Sequence, residues 1–286
     1  MRYTIKKFKE EYPNDDVCLE AIFQSSYGDL KVCSKCGVIN PKFYRVKKRK
    51  CYACKDCGYQ IHPLANTIFH KSETPLTSWL FAIYLFSQSK NGVSAKELER
   101  HLGVTYKTAH RMGHQIRLLM AQNNYKLGGE VEVDETYYGG DSKNRLHEKR
   151  TISDKQVIFG MIERDGKAKA HHVMSSGARV LLPKLFEGVQ RGSKVYSDDY
   201  RAYKPLQRMG YSHTSVNHSK LEFVKSGVHT NTIEGFWSQM KRSLDGTHHC
   251  VSPKYLQQYV NEFVYRYNHR DVPVFPLMIE AAAKRV

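Results

Sequence analysis

Hydrophobic positions change their spacing near residue 128, and that change gives the first division of the chain. From Pro75 to Gln88, the residues Leu76, Trp79, Leu80, Ile83 and Phe86 recur at helical intervals and mark one face of a helix. Ser94 to Met120 reads as two more helices broken at Gly103, the first opened by the Ser94/Glu97 capping box. Leu127-Gly128-Gly129 is the best linker, because turn residues there separate helical text from strand text. Beyond it, Val131-Glu132-Val133-Asp134 alternates as a strand does. Gln156 to Glu163 and Lys169 to Met174 are two further strands around the turn Arg164-Asp165-Gly166-Lys167. A helix over Ala178 to Val189 follows, with Pro183 in its first turns. Then come a strand over Lys194 to Asp198, a helix over Arg201 to Met209 ending at Gly210, and a strand over Tyr211 to Val216. Asn231 to Leu244 and Pro253 to Arg266 are the closing helices.

The expected organisation is α+β and multidomain. A helical lead-in over 1–30 precedes a Cys-rich module over 31–62 and a helical domain over 63–127. A mixed α/β domain over 128–250 follows, with a C-terminal helical segment over 251–286 packing on it. The order strand-strand-strand-helix-strand-helix-strand-helix in the second half is that of the ribonuclease H-like fold. No internal repeat or low-complexity tract interrupts it.

Charge narrows the choice of partner. The 286 residues carry 45 Lys and Arg against 28 Asp and Glu, a net of +17. The surplus is +11 up to Leu127 and +6 beyond it. A balance of this kind favours a polyanion, because each neutralised phosphate releases condensed counterions. No charged-then-apolar leader opens the sequence, and the longest apolar stretch, around Trp79 to Phe86, is too short to cross a bilayer. A cytoplasmic protein with no membrane partner is the expectation.

Five of the seven cysteines fall between 33 and 57. Cys33-Ser34-Lys35-Cys36-Gly37 and Cys54-Lys55-Asp56-Cys57-Gly58 make two C-x-x-C-G knuckles, a spacing that suits one structural Zn²⁺ in a zinc ribbon. Cys51 is an alternative ligand to Cys54. The pair Cys54 and Cys57 is preferred because it mirrors the first knuckle, Gly included. Between the knuckles, Arg45, Lys47, Lys48, Arg49 and Lys50 place five cations in six positions, and Lys47 to Lys50 are assigned to phosphate contact. Ser94 to Ala109 fits a helix-turn-helix, with Tyr106, Lys107, Thr108 and Arg111 projecting toward a DNA groove. A packing hairpin with an exposed basic face is the competing reading.

In so basic a chain, acids set in apolar text stand out. Asp134 follows Val131 and Val133, Asp198 ends the strand from Lys194, and Glu234 stands at the start of a helix with Lys241 two turns on. Each has an ordinary reading, as a helix cap or a solvated helix position. Together they suit phosphodiester chemistry, in which carboxylates hold two Mg²⁺ (or Mn²⁺) ions about 4 Å apart. Asp134 would bridge the ions, with Asp198 and Glu234 each completing one.

The chain resembles the zinc-ribbon transposases of bacterial insertion sequences related to the eukaryotic Merlin elements, from about Cys33 to Arg270. The resemblance rests on the Cys-x-x-Cys pairs, Thr67-Ile68-Phe69-His70-Lys71-Ser72 and Val133-Asp134-Glu135-Thr136-Tyr137-Tyr138-Gly139-Gly140. It extends to Ser197-Asp198-Asp199-Tyr200-Arg201-Ala202-Tyr203 and His229-Thr230-Asn231-Thr232-Ile233-Glu234-Gly235-Phe236-Trp237-Ser238. It implies a DDE core acting on terminal inverted repeats, with joining to double-stranded target DNA by 3′-OH attack. Catalysis falls on Asp134, Asp198 and Glu234, with Lys241 contacting DNA. Assembly as a homodimer or larger on paired ends, in the bacterial nucleoid, is implied as well. Asn231 is a minor rival to Glu234, since some relatives use asparagine there, and Asp199 is a rival to Asp198. Cys51 lies outside the pattern. His229 is read as a metal-site neighbour or a surface turn residue, Trp237 as a packing residue, and Tyr137, Tyr138 and Gly139-Gly140 as a tight turn or a DNA contact. A structure-specific nuclease of the same fold and a non-enzymatic DNA-binding regulator are the rival functions.

Overall fold

The computed structural model describes residues 3–122, 124–139, 155–216 and 229–284. The chain forms two compact units, one of Met1–Leu119 with Asp271–Val286 and one of Met120–Arg270. Among the described residues no helix is long and apolar enough to cross a membrane.

In the first unit the lead-in is two helices, α1 (Ile5–Glu11) and α2 (Asp15–Tyr27), capped by the side chains of Thr4 and Asn14. A small antiparallel sheet follows, of β1 (Phe43–Arg45), β2 (Tyr52–Cys54) and β3 (Gln60–Ile61). It packs on α2 through Tyr52, whose ring stacks 3.9 Å from Phe23 and whose hydroxyl donates to Glu20 at 2.6 Å. The helix α3 (Leu76–Gln88) is apolar on most of its surface and buries Trp79, Leu80, Ile83 and Phe86. Next are α4 (Ala95–Leu102) and α5 (Tyr106–Leu118), joined by a short turn. Ser94 caps α4 and Thr105 caps α5, while Gly103 ends α4 at φ +63°, the left-handed conformation that glycine adopts without strain.

The second unit is a five-stranded sheet with helices on both faces. Its strands are β4 (Glu130–Tyr138), β5 (Gln156–Glu163), β6 (Ala168–Val173), β7 (Lys194–Asp198) and β8 (Ser212–Val216), in the order β6-β5-β4-β7-β8. The first three run antiparallel, and β7 and β8 run parallel to β4. Alternation along β4 sorts its side chains between the faces. Val131 and Val133 enter one apolar layer with Phe159, Met161 and α6 (Ala178–Gly188). Residues 130, 132 and 134 face the other way, where α7 (Asn231–Ser243) and α8 (Pro253–Asn268) pack over Ile158, Ile162, Ala168 and Ala170.

The edge strand β6 is closed by side-chain amides. Gln122 and Asn268 each exchange a donor and an acceptor with the backbone of Ala170 and Ala168 respectively. Gln257 accepts from His172 N at 2.7 Å and donates to Ala170 O.

Three expectations change. The units part after Leu119 rather than at Leu127–Gly129, because Leu127 is already buried in the second unit and hydrogen-bonds to Gly188 and Gln190. The tail over 251–286 also divides. Its α8 packs on β6, whereas α9 (Val274–Ala283) sets Phe275 against Phe8 and Tyr84 in the first unit. Lastly, Arg201–Met209 is a 3-10 helix, since Pro205 lacks an N–H and disfavours α geometry at the residue before it.

Candidate active site and metal centre

The two knuckles are built alike. Gly37 N donates to Cys33 O and Gly58 N to Cys54 O, both at 2.9 Å, and each glycine is left-handed, at φ +71° and +68°. This turn brings the thiols of Cys33, Cys36, Cys54 and Cys57 together, all within 4.8 Å of one another. The Cys33 and Cys57 sulfurs are 3.9 Å apart, against roughly 3.8 Å for the edge of a tetrahedron with 2.3 Å Zn–S bonds. Backbone N–H groups of Cys36 and Lys35 bring the Cys33 thiol down to about 7. Burial and the neighbouring thiols raise Cys36 and Cys54, so a metal would have to displace protons from those two. The donor set therefore fits zinc. Cys51 is not part of it; buried, it faces Gln60 Oε1 at 3.7 Å. We expect Cys54→Ser to lose its zinc and Cys51→Ser to keep one ion per chain, as measured by elemental analysis. Zinc loss from Cys51→Ser would overturn this ligand set.

In the second unit, Asp134 sits in the middle of the central strand β4 and Asp198 is the last residue of the parallel neighbour β7. The β4–β7 ladder pairs Glu130 with Lys194 and Glu132 with Tyr196. The ladder ends there; by strand alternation Asp198, two residues beyond Tyr196, lies toward the same face as Asp134, two residues beyond Glu132. Asp198 Oδ1 accepts from Tyr200 N at 3.1 Å. Glu234, the fourth residue of α7, is exposed and accepts from Thr230 Oγ1 at 3.0 Å. Burial, together with the charges of Asp198 and Glu234, pushes Asp134 up to about 6. Asp134 thus feels the charges of Asp198 and Glu234, but the three carboxylates do not all come within 4.8 Å of one another; among the described residues only the four cysteines do.

The helix α7 is held to β4 by two carboxylates of that strand. Trp237 Nε1 donates to Asp134 Oδ2 at 3.0 Å. Glu132, fully buried, accepts from Ile233 N and Thr232 Oγ1, each at 3.0 Å, and from Arg164 Nε at 2.9 Å. Gly160, paired with Asp134 across the β4–β5 ladder, leaves room for the Trp237 ring.

On the opposite face, burial and the neighbouring charges of Asp134 and Asp198 push Glu135 up to about 8. Glu135 Oε1 and the Tyr203 hydroxyl are buried close to each other, and the hydroxyl partly offsets the cost of a charge on Glu135. Both Asp134 and Glu135 have folded pKa values above their unfolded ones, so the folded state binds protons more tightly. Their contribution is fully present below about pH 4 and is lost as pH rises through about 6 and then about 8. Melting curves without added magnesium should show Glu135→Gln gaining on the wild type between pH 5 and 9. Parallel curves across that range would refute the assignment.

The other sequence-derived residues scatter more widely. Lys47, Lys48, Arg49 and Lys50 are exposed on the turn joining β1 to β2, while Arg45 pairs with Asp16 at 3.0 Å. Tyr106, Lys107 and Arg111 are exposed on α5, and Thr108 is half-buried. Lys241 is half-buried, two turns beyond Glu234. Asn231 and Asp199 are exposed, Asn231 one turn before Glu234 and Asp199 next to Asp198. His229 lies with Nδ1 3.2 Å from Glu132, away from the surface role considered for it. Tyr137 is exposed and donates to Ser176, Tyr138 is buried under α7 and α8, and Gly139 is left-handed at φ +78°. Gly140 lies outside the described residues. The roles of Glu132, Arg164 and Gly160 were not read from the sequence. The available signal was Glu132 standing two positions before Asp134, hence on the same face.

Two known families match the chain: an ISXO2-like transposase domain over residues 126–268 and a transposase zinc-ribbon domain over residues 13–60. An uncharacterized protein in transposable element ISH50 of Halobacterium salinarum is 29% identical over 254 residues, covering 82% of this chain and 84% of that protein. An uncharacterized transposase-like protein of Haemophilus influenzae is 32% identical over 92 residues, covering 32% of this chain and 73% of that one. A chain of a simian T-cell lymphotropic virus intasome structure, in complex with PP2A regulatory subunit B56 gamma, aligns over 68% of this chain and 69% of its own. At 12% identity and a TM-score of 0.34, that likeness carries no conclusion.

Proposed function

The chain belongs to the ISXO2-like transposase family, and from that premise we propose that it binds the terminal inverted repeats of an insertion sequence and cuts and joins DNA strands at Asp134, Asp198 and Glu234. One observation carries the reading. Asp134 feels the charges of both other carboxylates, and the helix bearing Glu234 is hydrogen-bonded to the strand bearing Asp134. The strand order β6-β5-β4-β7-β8, with helices on both faces, supports a ribonuclease H-like core.

The donors suit a hard divalent cation: carboxylate oxygens from three elements, with mutual repulsion that a cation relieves. Bound Mg²⁺ or Mn²⁺ supplies activation of the attacking oxygen and stabilisation of the leaving one. Asp134 would hold the metal through its carboxylate, whose Oδ2 is positioned by Trp237. Tyr200 N orients Asp198, and Thr230 steadies Glu234. Lys241 follows on α7 as a cation for DNA.

In the first unit, α4, Gly103 and α5 serve as a helix-turn-helix that presents Tyr106, Lys107, Thr108 and Arg111 to a groove. The β1–β2 turn contributes Lys47, Lys48, Arg49 and Lys50 as sequence-independent phosphate contacts. Replacing these four by Ala should weaken binding to any duplex and flatten log Kd against log salt by about 0.9 for each phosphate no longer neutralised. An unchanged slope would take the turn off the DNA.

The deciding experiment incubates the protein with a duplex carrying the repeats that flank its gene. Mg²⁺-dependent nicking at the repeat ends, and joining of pre-cleaved 3′-OH ends to a second duplex, are expected. Nicking without joining would make it a nuclease, and binding without either would make it a regulator.

A further inference from the structure

We infer that Glu132 is a positioning residue for Glu234: from strand β4 it fixes the first turn of α7, and so the place where the third carboxylate enters the site. The inference rests on the proposed role of Asp134, Asp198 and Glu234 in holding divalent metal.

A helix begins with backbone N–H groups that lack intrahelical partners, and a side chain at its own N-cap usually takes one of them. Here the N-cap residue, Thr230, makes no such bond to the helix backbone. Glu132, about a hundred residues earlier in the chain, accepts from Ile233 N instead, and from the Thr232 hydroxyl. Its negative charge also suits the positive end of the helix dipole. Arg164 holds Glu132 in turn. Its Nε donates to Glu132, one Nη to Glu130 Oε2 and the other to His229 O, each at 2.9–3.0 Å, and its guanidinium lies 4.3 Å from the Tyr196 ring centroid. The residue that leads into α7 and the residues of its first turn are thereby tied to one buried carboxylate.

The second attachment, Trp237 to Asp134, lies four residues further along α7 and two further along β4. Four helical residues rise about 6 Å and two strand residues about 6.7 Å. The two hydrogen-bonded points therefore match in spacing, and α7 can neither slide nor roll on β4 without breaking one of them. Glu234 directly follows Ile233, so the Glu132 attachment determines its backbone position. A buried ion pair adds little net stability over a well-packed apolar pair. Directional bonds to a helix start, by contrast, set a position that apolar packing leaves loose.

The test measures Mn²⁺ binding to the full chain by calorimetry, with a thermal melt of each variant. The wild type should bind Mn²⁺ at a site that Asp134→Asn removes. Glu132→Gln keeps the shape but loses the charge, and Mn²⁺ affinity should fall about tenfold or more, as for other residues that orient metal ligands. Thr232→Val removes one donor and carries the test if Glu132→Gln does not fold; a smaller loss than that of Glu132→Gln is expected. In strand cleavage the half-saturating Mg²⁺ concentration should rise in parallel, with the rate recovering at saturation and DNA-end affinity unchanged. Variants that melt lower but bind Mn²⁺ as the wild type does would reduce Glu132 to a purely structural role and overturn the inference. A wild type with no Asp134-dependent Mn²⁺ site would instead overturn the metal reading itself, and this inference with it.

Discussion

Asp134→Asn is expected to lower Mg²⁺-dependent strand cleavage by at least about 1,000-fold, equivalent to about 4 kcal/mol of transition-state stabilisation. The amide keeps the size of the carboxylate and can still accept from Trp237, so packing of α7 survives. What disappears is the charge that draws a cation and one of its oxygen ligands. Because burial and two neighbouring carboxylates oppose ionisation of Asp134, the neutral variant should melt no lower than the wild type at pH 8 without metal. Loss of activity combined with retained stability and retained binding of element ends is the signature of a metal ligand. Asp198→Asn and Glu234→Gln should behave alike, measured as nicking and joining on labelled duplexes. Full activity in any one variant would remove that residue from the site, and for Glu234→Gln it would turn attention to Asn231.

Gly160→Ala should be the most damaging small substitution in the second unit. Its Cβ would run into Cζ2 and Cη2 of Trp237 and meet Ile233 Cδ1 at 3.4 Å. The ring has little room to retreat, being buried against Phe236 and hydrogen-bonded to Asp134. Either the ring tilts and abandons Asp134, or α7 lifts from the sheet. Overpacking of this kind costs about 1–3 kcal/mol, and a hydrogen bond to a charged group contributes about 1.5–3 kcal/mol. A combined loss near 3 kcal/mol lowers the melting temperature by roughly 6–12 °C for a unit of this size. Cleavage should fall about 100-fold as well, since a displacement near 1 Å suffices for that. Adding Trp237→Phe to Gly160→Ala should recover part of the stability, because the smaller ring vacates the contested space. It should not recover activity, because Phe has nothing to donate to Asp134. A Gly160→Ala protein as stable as the wild type would show that the ring is free to move.

Parts of this architecture were legible in the sequence because they depend on local pattern. The knuckles declare themselves through thiol spacing and a trailing glycine, and the strands and helices of the second unit through periods of two and about 3.6. Asp134 and Asp198 drew attention as acids within apolar strand text. Glu132 did not, because a polar residue alternating with valines reads as the solvent side of a strand. Only the distant Arg164 and the start of α7 reveal that this side is covered. Gly160 was silent for a related reason: a glycine in an apolar strand says nothing about which ring, 77 residues later, fills the space it leaves. The destination of α9 was hidden too, since an apolar helix after a proline can pack on any open apolar surface.

The amides of Gln122, Gln257 and Asn268 along β6 have a consequence for how copies of this protein meet. A bare outer strand is a template on which a stranger's backbone can zip, and through which sheets of different molecules fuse and aggregate. Here the rungs at Ala168, Ala170 and His172 are already taken by side chains of the same unit. A second chain therefore cannot continue the sheet past β6 without first displacing these side chains.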